Sequence, residues 1–113
     1  MSKTVPKNSI GEFMRAKLTN TEIIDILKAD KTFLKREFGV VNIGLFGSYA
    51  KGIQKVDRDI DLLVELKEPR FEWLAGLQIY LEMKFGRKIE LVRKGKNVNR
   101  RLTQRIEREV IYA

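Results

Sequence analysis

Residues 44–66 read GLFGSYAKGIQKVDRDIDLLVEL, and two β-rich runs meet there across a glycine-serine turn and a spaced pair of aspartates. Val41, Ile43 and Leu45 alternate with Asn42, Gly44 and Phe46, the period-two pattern of a strand, and that strand runs directly into Gly47-Ser48. After ten further residues, Asp59-Ile60-Asp61 opens a second strand that continues to Glu65. Successive strand side chains point to opposite faces, so Asp59 and Asp61 share one side while Ile60, Leu62 and Val64 take the other. A small-residue turn lets backbone N–H groups approach a phosphate, and a carboxylate pair suits a hard metal ion. Transfer of a phosphoryl or nucleotidyl group needs both devices, which points to an enzyme that consumes a nucleoside triphosphate.

Upstream of that stretch, Thr19-Asn20-Thr21-Glu22 offers a helix start. Ile23, Ile24, Leu27, Leu34 and Phe38 then recur at near-helical spacing, which predicts one helix over 20–38 with Asp30 and Lys31 on the wet side and Gly39 as its stop. Residues 1–19 mix polar residues, proline and glycine and read as a partly flexible lead-in, with a short helical turn around Ile10 to Leu18. Downstream, Glu68-Pro69 opens a helix from Arg70 to Phe85 whose stripe is Trp73, Leu74, Leu77, Leu81 and Phe85, closed at Gly86. Lys88 to Val92 is a third strand, with Ile89 and Leu91 toward the core and Glu90 on the face of Asp59 and Asp61. Val98, Leu102, Ile106 and Val110 define a terminal helix. The predicted order is α-β-β-α-β-α.

A chain of 113 residues is long enough for one compact core and too short for two. Without cysteine or histidine it has no disulfide, zinc-thiolate site, thiol nucleophile or imidazole base, so its chemistry falls to carboxylates, hydroxyls, Lys, Arg and backbone. No apolar run approaches the roughly 20 residues of a membrane span and the N-terminus lacks a secretory signal, so the expected location is cytoplasmic. A net charge of +8 favours any polyanion by raising encounter rates, and by itself does not choose among ATP, nucleic acid and an acidic partner.

Gly-Ser, ten intervening residues and Asp-x-Asp followed by Leu62-Leu63-Val64 resemble the signature of the DNA-polymerase-beta-like nucleotidyltransferases, most closely their minimal (MNT) branch. The resemblance covers residues 20–113, with Lys88 to Val92 similar to the third acidic strand and Arg101 to Tyr112 similar to the closing helix. It implies an α/β (α+β) core, a small mixed sheet of three to four strands with helices packed on one face, forming one nucleotidyltransferase domain over 20–113. It further implies that Gly47 and Ser48 hold the triphosphate, that Asp59 and Asp61 are catalytic and hold magnesium, two ions in all, and that Glu90 completes the second metal site. Glu90 replaces the family's usual aspartate, and Arg58 stands where a small residue usually precedes the first aspartate.

The same resemblance implies an antitoxin of an HEPN/MNT pair, a protein adenylyltransferase that moves AMP from ATP to a tyrosine of its HEPN-domain toxin. Two alternatives stand beside it: a non-catalytic module that binds toxin or nucleic acid, and nucleotidyl transfer to RNA or a small molecule. Taken singly, Lys51, Lys55, Arg87 and Lys88 read as surface charges, one or two of which steer triphosphate. Arg100, Arg101, Arg105 and Arg108 read as the wet side of the last helix, and Trp73 as core. Phe46 and Tyr49 flank the glycine-serine turn, within reach of a nucleobase, and core packing suits Phe46 equally well.

Overall fold

The computed structural model describes residues 18–53, 59–95 and 99–113. The helical turn expected at 10–18, together with Lys55, Asp57, Arg58 and Val98, lies outside them apart from Leu18, which is buried. Within the described residues the chain forms α1 (Asn20–Ala29), α2 (Lys31–Phe38), β1 (Val40–Phe46), α3 (Gly47–Ala50), β2 (Ile60–Leu66), α4 (Phe71–Phe85), β3 (Ile89–Lys94), α5 (Arg100–Glu107) and β4 (Ile111–Tyr112).

Local chemistry accounts for most of these boundaries. Thr19 and Glu22 close a reciprocal capping box at the start of α1: the Thr19 hydroxyl accepts from the Glu22 N–H at 3.1 Å, and Glu22 Oε1 accepts from the Thr19 N–H at 2.8 Å. Gly39 and Gly86 end α2 and α4 in the left-handed region, as the sequence predicts.

The single helix expected over 20–38 is two. Asp30 ends α1 and begins α2, and its carboxylate is drawn inward rather than left wet: Tyr80 Oη donates to it at 2.6 Å, and Lys84 Nζ lies 3.5 Å away. Both partners come from α4, so no local pattern announces the break. Burial and the Asp30 bond push the Tyr80 hydroxyl up to about 12.

The sheet has the order β3-β2-β1-β4, with β1 antiparallel to β2 and β4, and β2 parallel to β3. Ile43 and Leu45 of β1, Ile60, Leu62 and Val64 of β2 and Ile89 of β3 are all buried in one cluster with Ile23, Leu27, Leu34, Leu77, Leu81 and Phe85 of α1, α2 and α4. Burying these side chains is the main driving force for folding, at about 1.5–3 kcal/mol each. A shift in the β1–β2 register between Val40 and Asn42 accompanies a buried Val40 and an exposed Val41, so Val41 does not share the burial of Ile43 and Leu45 with which it alternates in sequence.

Leu63, at the alternate position of β2, is buried outside that cluster. On its side of the sheet, Thr103 and Ile106 are the buried residues of α5. A Cβ on Gly44, the register partner of Leu63, would sit 2.5 Å from Val110 Cγ2. The one-face packing expected of the helices therefore describes α1, α2 and α4, and α5 adds a partial cover opposite.

The terminal helix is shorter than expected and its stripe is displaced. It stops at Glu107, and Ile111–Tyr112 pairs with Gly44 and Leu45 as β4. Leu102 is exposed while Thr103 is buried, its hydroxyl donating to the carbonyls of Asn99 and Arg100 at 3.2 and 3.1 Å. A bonded hydroxyl can occupy an inward position that the spacing assigned to Leu102.

Candidate active site

β1 ends in extended backbone at Phe46 (φ −134°, ψ −176°), and the next residue, Gly47, turns to φ +75° to begin the one-turn helix α3. That conformation disfavours any side chain, and the space is also taken: a Cβ on Gly47 would lie 2.2 Å from Asp61 Oδ2 and 3.0 Å from its Cγ. The glycine is thus seated directly against the carboxylate, fourteen residues along the chain. The turn closes through hydrogen bonds from Lys51 N–H to the Gly47 and Ser48 carbonyls and from Ile53 N–H to the Ser48 carbonyl. Its leading N–H groups have no carbonyl within the helix to bond.

Asp61 is half-buried and opposes Phe46 of β1 in the antiparallel register and Glu90 of β3 in the parallel one. Register partners share a face, so Phe46, Asp61 and Glu90 form one row across the sheet. Asp59, also half-buried, immediately precedes β2, whose first N–H, that of Ile60, donates to the Lys88 carbonyl at 3.1 Å. Gly47, Ser48, Asp59, Asp61 and Glu90 therefore meet at one end of the sheet, from three strand termini.

Glu90 is exposed, and among the described residues no three acidic side chains are gathered closely enough to hold one metal ion. The donor chemistry fits magnesium, which takes hard oxygen ligands from one or two carboxylates and completes its octahedron with water and phosphate oxygens.

Several neighbours have roles that the sequence did not assign. Tyr49, a candidate for nucleobase contact, is 1% exposed and belongs to the core beneath the turn, so a base cannot reach it. Phe46 stays on the acidic face. Arg87 lies over the Tyr49 ring, its Cζ 5.5 Å from the centroid, and its Nη1 donates to the Tyr49 hydroxyl. A cation following a helix-stop glycine carries no local sign of that contact. Trp73 is half-buried against Gly39 with the Arg70 guanidinium 4.8 Å over its ring, away from the turn in the chain and engaged in packing. Farther along the acidic face, Glu65, Lys94, Gly95, Arg100, Thr103, Gln104 and Glu107 line a cleft of about 470 Å³ between the sheet and α5. Lys94 and Glu107 are paired across it at 2.6 Å, which raises the Lys94 ammonium above its ordinary range.

Residues 27–113 match the nucleotidyltransferase domain family. The chain belongs to that family. It is a nucleotidyltransferase, and its resemblance to the minimal branch extends to close relatives. It is 41% identical over 98 residues to the protein adenylyltransferase MntA of Thermococcus cleftensis, covering 86% of this chain and 98% of the relative. Among solved structures, a toxin–antitoxin complex with AMP-PNP is similar with a TM-score of 0.62 at 23% identity, over 75% of this chain and 70% of that one. A complex of a tri-AMPylated Shewanella oneidensis HEPN toxin with an MNT antitoxin is similar with a TM-score of 0.56 at 20% identity, over 78% and 69%. Those two likenesses establish the nucleotidyltransferase fold. No helix of this nucleotidyltransferase, among the described residues, is long and apolar enough to cross a membrane.

Proposed function

We propose that the protein is the antitoxin of an HEPN/MNT pair, and that it transfers AMP from ATP to a tyrosine hydroxyl of its HEPN-domain toxin. The observation that carries the reading is the seating of Gly47 against the Asp61 carboxylate, which joins an anion-accepting turn to an acidic strand end in direct contact. The 41% identity to a protein named as an adenylyltransferase supports transfer of AMP to protein, and the folds shared with toxin–antitoxin complexes support the partner.

In this reading, the N–H groups of the Gly47–Ser48 turn and the Ser48 hydroxyl bind the triphosphate. Asp59 and Asp61 would hold magnesium, with Glu90, the register partner of Asp61 on the neighbouring parallel strand, as a third carboxylate. Magnesium held there would supply positive charge beside phosphate oxygens on which negative charge accumulates. In this reading a tyrosine oxygen approaches the α-phosphorus from the exposed, Glu90 side. The new P–O bond forms as the bond to the diphosphate breaks, and the phenolic proton passes to solvent water. No histidine of this chain serves as the base, because it has none.

The test is incubation with labelled ATP, magnesium and a purified HEPN-domain partner. Label should move to the partner and disappear with Asp59→Asn plus Asp61→Asn. Absence of transfer by the wild-type protein, or equal transfer by the double variant, would sink the proposal.

A further inference from the structure

We propose that Arg87 is a positioning residue for the triphosphate, acting through Tyr49 to fix the Gly47–Ser48 turn. The inference rests on the proposed function only in its nucleotide half, the binding of a nucleoside triphosphate at that turn.

A helical segment of four residues does not hold its own shape, because nucleating a turn fixes several dihedrals for very few hydrogen bonds. The orientation of α3 must be imposed by its tertiary contacts, among them what its buried side chain grips. Tyr49 is the largest fully buried side chain among the described residues and the third residue of α3, adjacent to Ser48 and two residues from Gly47. Where its ring sits, the turn follows. Arg87 acts on that ring twice, its cation over the aromatic face and its Nη1 donating to the phenol oxygen.

The guanidinium is itself aimed by a backbone pinned on both sides. Gly86 leaves α4 in the left-handed conformation with its N–H on the Glu82 carbonyl at 2.9 Å. The Lys88 carbonyl accepts from Ile60, and the Ile89 N–H donates to Glu82 Oε2 at 3.2 Å. The loop from α4 to β3 thus delivers a permanent positive charge behind the turn, joined at Lys88 to the strand bearing Asp61. A planar fork can stack on a ring and donate to its hydroxyl together, whereas a lysine ammonium is a point charge on a flexible stem. A fixed cation also adds favourable potential at a site for a polyanion.

The separating experiment measures binding of a fluorescent ATP analogue with magnesium, KM and kcat for AMP transfer, and thermal unfolding, in Arg87→Met, Arg87→Lys and Tyr49→Phe. Arg87→Met should weaken nucleotide binding roughly tenfold and raise KM for ATP to match, with kcat within about twofold. Arg87→Lys should recover part of that loss, and Tyr49→Phe, which keeps the ring, should reproduce it in milder form. A melting temperature lowered in all three with nucleotide binding and KM unchanged in the folded protein would assign Arg87 to structure alone and overturn the inference. So would a fall in kcat at constant KM. If the wild-type protein binds the nucleotide but labels no protein, the acceptor half of the proposed function fails while the positioning role stands. If the wild-type protein binds no nucleotide, both fall.

Discussion

Substituting Gly47 by alanine tests the contact on which the site is built. At φ +75° an L-residue is disfavoured by about 1–2 kcal/mol, a cost that is independent of the neighbours. The added Cβ would also lie 2.2 Å from Asp61 Oδ2 and 3.0 Å from Cγ. Since non-bonded carbon and oxygen atoms rest more than 3 Å apart, the carboxylate must swing away by about 1 Å. A carboxylate is the end of a flexible side chain, so relief costs little stability and the positional error falls on function. The expected loss of stability is therefore close to the backbone term, about 1–2 kcal/mol, or roughly 4–16 °C in melting temperature for a domain of this size. Transfer of AMP should fall further, by about a hundredfold, the usual cost of a 1 Å misplacement at a reacting centre. Thermal unfolding and labelled transfer, run on Gly47→Ala and on Gly47→Ala with Asp61→Ala, complete the cycle. Removing the carboxylate leaves the backbone cost in place, so the destabilisation by Gly47→Ala should stay close to about 1–2 kcal/mol in the Asp61→Ala background. Wild-type activity in Gly47→Ala would refute the reasoning, because it would mean that turn and carboxylate do not share the space described.

Four further outcomes are expected. Gly44→Ala drives its Cβ to 2.5 Å from Val110 Cγ2 and 3.1 Å from the Ile111 carbonyl oxygen, so it should loosen β4 and cost about 1–3 kcal/mol, read by denaturant unfolding. Tyr80→Phe removes the donor to Asp30 and should cost about 1.5–3 kcal/mol in the same assay, with AMP transfer retained below the melt. The Tyr80 hydroxyl titrates higher in the folded protein than its usual 10.0, at about 12, so its contribution is fully present below pH 10.0 and is lost as pH rises toward 12; unfolding followed across that window should show a decline that Tyr80→Phe diminishes. Glu90→Gln, at an exposed position, should leave melting unchanged while lowering transfer about tenfold or more; unchanged transfer would remove Glu90 from the site.

Where neighbours along the chain decide the outcome, the sequence was enough. Thr19 and Glu22 close their capping box within one turn, the glycines at 39 and 86 stop their helices, and the period of two in residues 60–64 separates Asp61 from the buried Ile60, Leu62 and Val64. The same alternation placed Glu90 on the face of Asp61, and the parallel register pairs the two residues. These features depend on backbone geometry and periodicity, which the order of residues carries in full.

What remained hidden depends on partners far away in sequence. The break at Asp30 is imposed by Tyr80 and Lys84, and the exposure of Val41 goes with a register shift against β2. Ile111 and Tyr112 join the sheet because the Gly44–Leu45 edge of β1 offers unpaired backbone groups, a hydrogen-bonding gain that helical spacing cannot express. At the site itself, the motif named the glycine and the aspartates, but their contact came from packing. Gly47 touches Asp61 because an antiparallel β1 and β2 bring the end of one strand to the start of the other, and Arg87 reaches Tyr49 because a parallel β3 begins beside that same point. The sequence by itself singled out Gly47, Ser48, Asp59, Asp61 and Glu90 as the candidates for the chemistry. Tertiary structure alone decided how closely they meet, because distances across a sheet are set by strand pairing and core burial, not by position along the chain.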